Sequence, residues 1–245
     1  MTVLRSLVFN LLFFGWTGLL CLLGLPLLAL PRSWLVRLGR LWARGIVGFL
    51  AAAVGLRYEL RGLEHRGESG AIYAFKHQSA WDTIMLPLLT PDPMIVLKKE
   101  LMLIPFFGWY LWKTRQIAID RRGGGVALKK MLRRAEAGAA AGRPIVIFPE
   151  GTRTAPGHHR PYQPGVAALY AQLRRPVIPV ALNSGLFWGR RRFLKRRGRV
   201  VVAFLPPIAP GLSRGDFLAE LERRIEGACQ ILVAEAQEAC GKTCG

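Results

Sequence analysis

The chain has 245 residues, is 51% apolar, and sets 35 lysines and arginines against 15 acidic residues, a formal net charge of +20. That length holds one sizeable core, or one domain with an anchor. Such a charge points to anionic partners: nucleic acid, phospholipid head groups, acidic carrier proteins or phosphorylated substrates.

From Leu7 to Leu30 the chain is almost wholly apolar, with Asn10 and Thr17 the clear polar exceptions. Roughly two dozen residues at helical rise suffice to cross a bilayer core. A cleaved signal peptide has a shorter apolar region and a small-residue cleavage site, whereas this run ends Leu-Ala-Leu-Pro-Arg. So apolar a front end also argues against nucleic acid as the partner. After Pro31, Arg37, Arg40 and Arg44 recur as on one helix face. Leu35, Leu38, Leu41 and Trp42 lie mostly on another, and Ile46 to Val54 is again apolar. This is the pattern of an interfacial helix with its arginines at the head groups. The first segment either spans the bilayer or forms a half-buried hairpin with the second, and the sequence leaves both open. In the spanning case four arginines follow the segment and only Arg5 precedes it, which puts the remainder in the cytoplasm. Cys21 lies in this segment, and with Cys229, Cys240 and Cys244 it forms no CxxC pair and no zinc spacing. Free thiols in a reducing compartment are expected.

From about Leu56 short apolar runs alternate with helical stretches, the rhythm of an α/β domain. The expected organisation is membrane-anchoring helices over residues 1–55 and an α/β domain over 56–245, its sheet mixed but largely parallel and flanked by helices. Candidate strands are Arg57–Arg61, Ala71–Phe75, Met94–Leu97, Gln116–Ile119, Pro144–Phe148, Val177–Leu182 and Val200–Leu205. Leu128, Met131, Leu132 and Ala135 form a helical apolar stripe among basic residues, ended by Gly142. Ser213 with Asp216 resembles a capping box opening a last helix, whose stripe is Phe217, Leu221, Ile225 and Leu232. Leu101–Trp112 is too apolar for an ordinary surface helix and too short to span, which leaves core packing or contact with lipid or an acyl chain.

His77 and Asp82 lie five residues apart across a break in regular strand. If a helix starts after Ser79, the carboxylate curls back to the imidazole, fixes its tautomer and leaves the other nitrogen to accept a proton. At Phe148–Arg153 a buried parallel strand is stopped by Pro149, and open α/β sheets bind ligands at such strand ends. Gly151 permits close backbone approach, Thr152 offers a hydroxyl and Arg153 a fork for phosphate, which Glu150 is positioned to aim. The alternative is a surface ion pair between Glu150 and Arg153 on an ordinary turn. Pro179 inside the apolar run Val177–Leu182 argues for an edge strand or a bulge near the site. Arg190 to Arg199 holds seven basic residues among ten, either a solvated loop or a contact for anionic lipid or an acidic carrier protein.

In this order the blocks His77–Asp82, Gln116–Arg121, Glu150–Arg153 and the strand around Pro179 resemble the 1-acyl-sn-glycerol-3-phosphate acyltransferase family. Lys98-Lys-Glu-Leu101 and Pro105-Phe-Phe-Gly-Trp109 also look like that family, so the resemblance covers about His77 to Leu182. It implies transfer of an acyl group from acyl-ACP or acyl-CoA to the hydroxyl of lysophosphatidate, giving phosphatidate. His77 would be the base and Asp82 its orienter, with no acyl-enzyme, no metal and no cofactor. Ser79 suggests a serine hydrolase, but the chain has no Gly-x-Ser-x-Gly elbow. By the same resemblance Arg121, Arg153 and Lys98 hold the acceptor phosphate, and Glu150, Gly151 and Thr152 shape the pocket. Many members have glycine at Arg115, and an arginine there bears on acceptor choice. A rival acceptor is another lyso-lipid such as lyso-ornithine lipid, and a non-catalytic membrane or nucleic-acid binder is the reading from outside the enzymes. The expected setting is the cytoplasmic face of the inner membrane, in contact with anionic lipids and with no nucleic acid.

Overall fold

The central apolar runs, Ile72–Phe75, Ile145–Ile147 and Val177–Leu182, become strands buried on both faces, which is why they read as continuous rather than alternating. The structure is a computed structural model describing residues 1–120 and 122–243, with side chains through residue 239. Among the described residues the strands are β1 (Leu56–Arg61), β2 (Ile72–Phe75), β3 (Met94–Lys98), β4 (Ile117–Ile119), β5 (Ile145–Ile147), β6 (Val177–Leu182) and β7 (Gly198–Phe204). Each falls where the sequence marks a strand. They form one sheet in the order β1-β7-β6-β2-β5-β3-β4. Neighbours run parallel except β6 and β7. Strands β2 to β6 therefore point their carboxyl ends to one rim, and the segments leaving them carry His77, Lys98, Asp120, Glu150 and Asn183 there.

Alternation sorts the side chains of each strand between two cores. Ile72 and Ala74 join Met131, Ala135, Tyr170, Phe217 and Leu221 on one face, beneath α5 (Gly124–Ala140), α6 (Pro164–Leu173) and α7 (Arg214–Thr243). Tyr73 and Phe75 join Phe9, Ala43, Ile46, Trp81 and Met85 on the other, beneath α1 (Thr2–Leu23), α2 (Arg32–Phe49) and α3 (Ala80–Leu89). The expected box opens α7: Ser213 Oγ accepts from the Asp216 N–H at 3.2 Å and donates to its carboxylate at 2.7 Å.

Pro179 is not on an edge. Strand β6 lies inside the sheet between β7 and β2. The missing N–H is absorbed where the antiparallel ladder slips: Val180 pairs with Phe204, yet Val177 pairs with Ile208, leaving an extra residue on the β7 side. That bulge lies toward the start of β6, away from the rim that holds His77.

The run Leu7–Leu30 does not form one helix. Helix α1 stops at Gly24, a 3₁₀ turn over Leu25–Ala29 contains Pro26, and α2 returns alongside. Trp16 Nε1 donates to the Trp42 carbonyl (3.2 Å) and Trp42 Nε1 to Thr17 Oγ1 (3.0 Å). Close approach requires Gly45, whose added Cβ would lie 2.4 Å from Trp16 Nε1. Helix α1 is long and apolar enough to cross a bilayer, but both its ends are tied to the α/β body. Near one end Ser6 Oγ accepts from the Lys195 N–H (3.0 Å), and near the other the Tyr110 hydroxyl donates to the Cys21 carbonyl (2.5 Å). The two segments pack on one another as a helical hairpin. Leu101–Trp112 likewise resolves toward exposure. It forms a 3₁₀ turn (Lys99–Leu103) and α4 (Phe107–Lys113), with Leu103 79% and Trp112 71% exposed. With the outward leucines of α1 and α2, these residues make an apolar surface suited to membrane association.

Candidate active site

His77 and Asp82 meet because α3 starts between them. Ser79 caps the helix, its Oγ accepting from the Trp81 N–H at 3.1 Å, and the first turn swings Asp82 back over the cap. Asp82 Oδ2 then accepts from His77 Nδ1 (2.9 Å), the Gln78 N–H (2.7 Å) and the Ser79 N–H (2.8 Å). Its other oxygen, Oδ1, accepts from Ser184 Oγ at 2.5 Å. A carboxylate accepts only, so the histidine proton belongs on Nδ1 and Nε2 is left basic. Among the described residues nothing donates to Nε2. The imidazole stacks on Phe148, ring centroids 4.0 Å apart, and its side chain is 14% exposed. The arrangement holds one imidazole nitrogen ready to take a proton at the rim.

The Glu150–Arg153 turn follows β5, with Gly151 at φ +67° and its N–H donating to the Phe148 carbonyl (2.9 Å). It is joined to the histidine segment by the Thr154 N–H, which donates to the His77 carbonyl at 2.9 Å. Glu150 does not aim Arg153. It turns inward, fully enclosed, and accepts from Lys76 Nζ (3.0 Å), Thr154 Oγ1 (2.8 Å) and the Arg160 N–H (3.1 Å). Burying a carboxylate requires such partners, and a polar turn in sequence gives no sign of them. Lys76 also reaches Glu226 Oε2 (2.8 Å) on α7, where the Tyr162 hydroxyl donates to Oε1 (2.8 Å). Burial, first, and then the carboxylates of Glu226 and Glu150 push the Tyr162 phenol far above its ordinary range.

Arg153 is left facing the rim, half-buried, with no carboxylate paired to it among the described residues. Burial lowers its guanidinium below the ordinary arginine range, Arg190 adds to that, Asp82 opposes it, and Arg191 adds a little more. Gly151 and Thr152 are partly exposed in the same turn, and Lys98 is exposed at the carboxyl end of β3. Beside Lys98, Lys99 pairs with Asp120 and brings the ends of β3 and β4 together. Arg121 lies outside the described residues. Arg115 lies in the turn two residues before β4 and so at the opposite end of the strands, apart from the His77 rim.

Sequence reasoning missed three residues. Lys76 continues an apolar strand, an anomaly that signals a buried partner. Ser184 and Gln78, whose Oε1 accepts from the Gly185 N–H (3.0 Å), carry no signal, because their partners lie more than 100 positions away (102 and 107).

A histidine–carboxylate pair without a nucleophile at the rim of an α/β sheet fits direct transfer or hydrolysis. A family model described as Acyltransferase matches residues 57–183, which sets the chain in the first of those classes. A 1-acyl-sn-glycerol-3-phosphate acyltransferase of Pseudomonas aeruginosa is 34% identical over 194 residues, 79% of this chain and 76% of its own. One from Limnanthes alba is 31% identical over 184 residues, 74% of this chain and 65% of its own. The crystal structure of the 1-acyl-sn-glycerophosphate acyltransferase PlsC from Thermotoga maritima shares the fold, with a TM-score of 0.79 at 19% identity over 96% of this chain and 98% of its own. This chain belongs to the 1-acyl-sn-glycerol-3-phosphate acyltransferase family.

Proposed function

We propose that the protein transfers an acyl chain from acyl-ACP or acyl-CoA to the free hydroxyl of 1-acyl-sn-glycerol-3-phosphate, giving phosphatidate for phospholipid synthesis. The observation that carries this reading is His77 with its Nδ1 held by buried Asp82 and, among the described residues, its Nε2 unpartnered, beside an arginine without a carboxylate. Nε2 takes the hydroxyl proton as that oxygen attacks the thioester carbonyl. Collapse of the tetrahedral intermediate expels the thiolate, which recovers the proton from the imidazolium. Asp82 stabilises the imidazolium between the two steps. Ser79 and Ser184 are fully buried, their hydroxyls engaged in the α3 cap and on Asp82, so neither serves as a covalent nucleophile.

Arg153, Lys98 and Arg121 hold the acceptor phosphate. Gly151 and Thr152 line its turn, while Glu150 fixes that turn from behind through Lys76. Residues 1–55 act as the anchor and 56–245 as the catalytic domain, on the cytoplasmic face of the inner membrane and in contact with anionic lipids rather than nucleic acid. The apolar surface of α1, α2 and α4 supports that setting. The test is transfer to lysophosphatidate from each donor by detergent-purified protein, with His77→Ala in parallel. Loss of general-base catalysis predicts a fall of about 10²–10⁴-fold. His77→Ala forming phosphatidate at the wild-type rate would overturn the mechanism.

A further inference from the structure

A cavity of about 740 Å³ lies between the amino ends of β3 and β4 and the carboxyl end of α5, at the far end of these strands from His77. Five basic side chains line it: Arg32, Lys113, Arg115, Arg134 and Arg143. Among the described residues the one carboxylate paired with them is Asp92, which accepts from Arg32 Nη1 (2.6 Å) and Arg143 Nη2 (3.1 Å). The last carbonyls of α5 add about half a negative charge. Those two terms leave most of the positive charge unopposed. Among the described residues Lys113, Arg115 and Arg134 have no carboxylate partner. Arg143 shows the consequence: burial lowers its guanidinium, Asp92 opposes that, and Arg32 and Arg115 lower it further.

Arg115 is the telling residue. It sits at φ +57°, a left-handed conformation that glycine adopts freely and arginine adopts only at a cost. The backbone there favours glycine, so what the arginine adds is a charged side chain on the lining of the cavity. Trp112, 71% exposed, also lines the cavity and belongs with Leu103 to the exposed apolar surface. A tryptophan beside a cluster of arginines marks the level of lipid head groups. We infer that this cavity binds the phosphate of an anionic membrane phospholipid, at a site separate from the transfer site and independent of its chemistry. The planar forks of Arg115 and Arg134 suit phosphate oxygens, and Lys113 adds a point charge.

The test is native mass spectrometry of the full chain in a neutral detergent, titrated with phosphatidylglycerol, with phosphatidylcholine and with inorganic phosphate. Wild type should retain one more phosphatidylglycerol than Lys113→Gln/Arg115→Gly at equal lipid concentration, and no such excess of phosphatidylcholine. Arg115→Lys, which keeps the charge, should keep most of the bound lipid. The double variant should melt no lower than wild type, since glycine relaxes the backbone, and should acylate lysophosphatidate in detergent at the wild-type rate. Equal phosphatidylglycerol retention by wild type and the double variant would overturn the site. Displacement of that lipid by an equal concentration of inorganic phosphate would overturn its assignment to a lipid.

Discussion

Four donors converge on the two oxygens of Asp82, and one of them, Ser184, comes from the end of β6. The backbone donors from Gln78 and Ser79 belong to the α3 cap and stay whatever the side chains. Ser184 alone fixes Oδ1, and so sets the rotation of the carboxylate that orients His77. A hydrogen bond to a charged group is worth about 1.5–3 kcal/mol, or roughly 10–100-fold in rate if it is felt in the transition state. Ser184→Ala should therefore lower kcat by about that factor while KM for lysophosphatidate stays near wild type. Steady-state kinetics check this, and a raised KM at unchanged kcat would move Ser184 into acceptor binding instead. Arg153→Ala should do the reverse in part, raising the acceptor KM by about 10–100-fold through loss of a charge-assisted contact. Wild-type kinetics on lysophosphatidate in that variant would remove Arg153 from the phosphate site.

At the scale of elements, the site rests on a charge cluster that crosses the fold. Lys76 leaves β2, Glu150 follows β5 and Glu226 lies on α7, and the three are joined within 3.0 Å. Both carboxylates depend on the same ammonium, so removing it strands one buried and one partly buried negative charge. Breaking a buried pair by losing one partner costs about 3–5 kcal/mol. For a chain of this length that corresponds to a melting point lower by about 10 °C. Lys76→Met should show that drop in thermal unfolding, and adding Glu226→Gln should recover part of it. A melt within two or three degrees of wild type would mean the cluster carries no structural load.

This cluster also marks where the sequence stops being legible. The inner strands β2, β5 and β6 could be read locally, because burial on both faces makes each an unbroken apolar run, whereas the edge strand β1 is mixed in polarity. The capping of α3 and α7 was equally local, and so was the meeting of His77 with Asp82 across one helical turn. Glu150 was misread because its partner Lys76 is 74 positions away and Glu226 lies on the last helix. Of the two readings of Pro179, an edge strand or a bulge near the site, the bulge is the one present, but its extra residue lies on the opposing strand and away from the His77 rim, which spacing along β6 does not show. Spacing carries helices and turns; it does not carry which loop a buried charge will face.

At the scale of the whole molecule, the question is what keeps an apolar helix lying along the protein instead of leaving it for the bilayer. Lys195 is the lock near the first end of α1. Its ammonium donates to Asn10 Oδ1 (2.7 Å) and the Phe193 carbonyl (2.9 Å), and lies 5.4 Å from the centre of the Phe9 ring and 5.0 Å from that of Trp188. Burial pushes this ammonium from 10.5 down to about 8. The unfolded chain keeps the ordinary value, so between those limits the unfolded state binds the proton and the folded state does not. Stability from this group therefore rises with pH across that window and is flat on either side. Wild type should gain melting temperature relative to Lys195→Met as pH is raised from 8 to 10.5. Scanning both proteins across the same buffers isolates the effect, because every other titrating group is shared. Parallel profiles would show that Lys195 titrates alike folded and unfolded, and the lock on α1 would then have to be found in Ser6 and the Phe9–Trp188 contact.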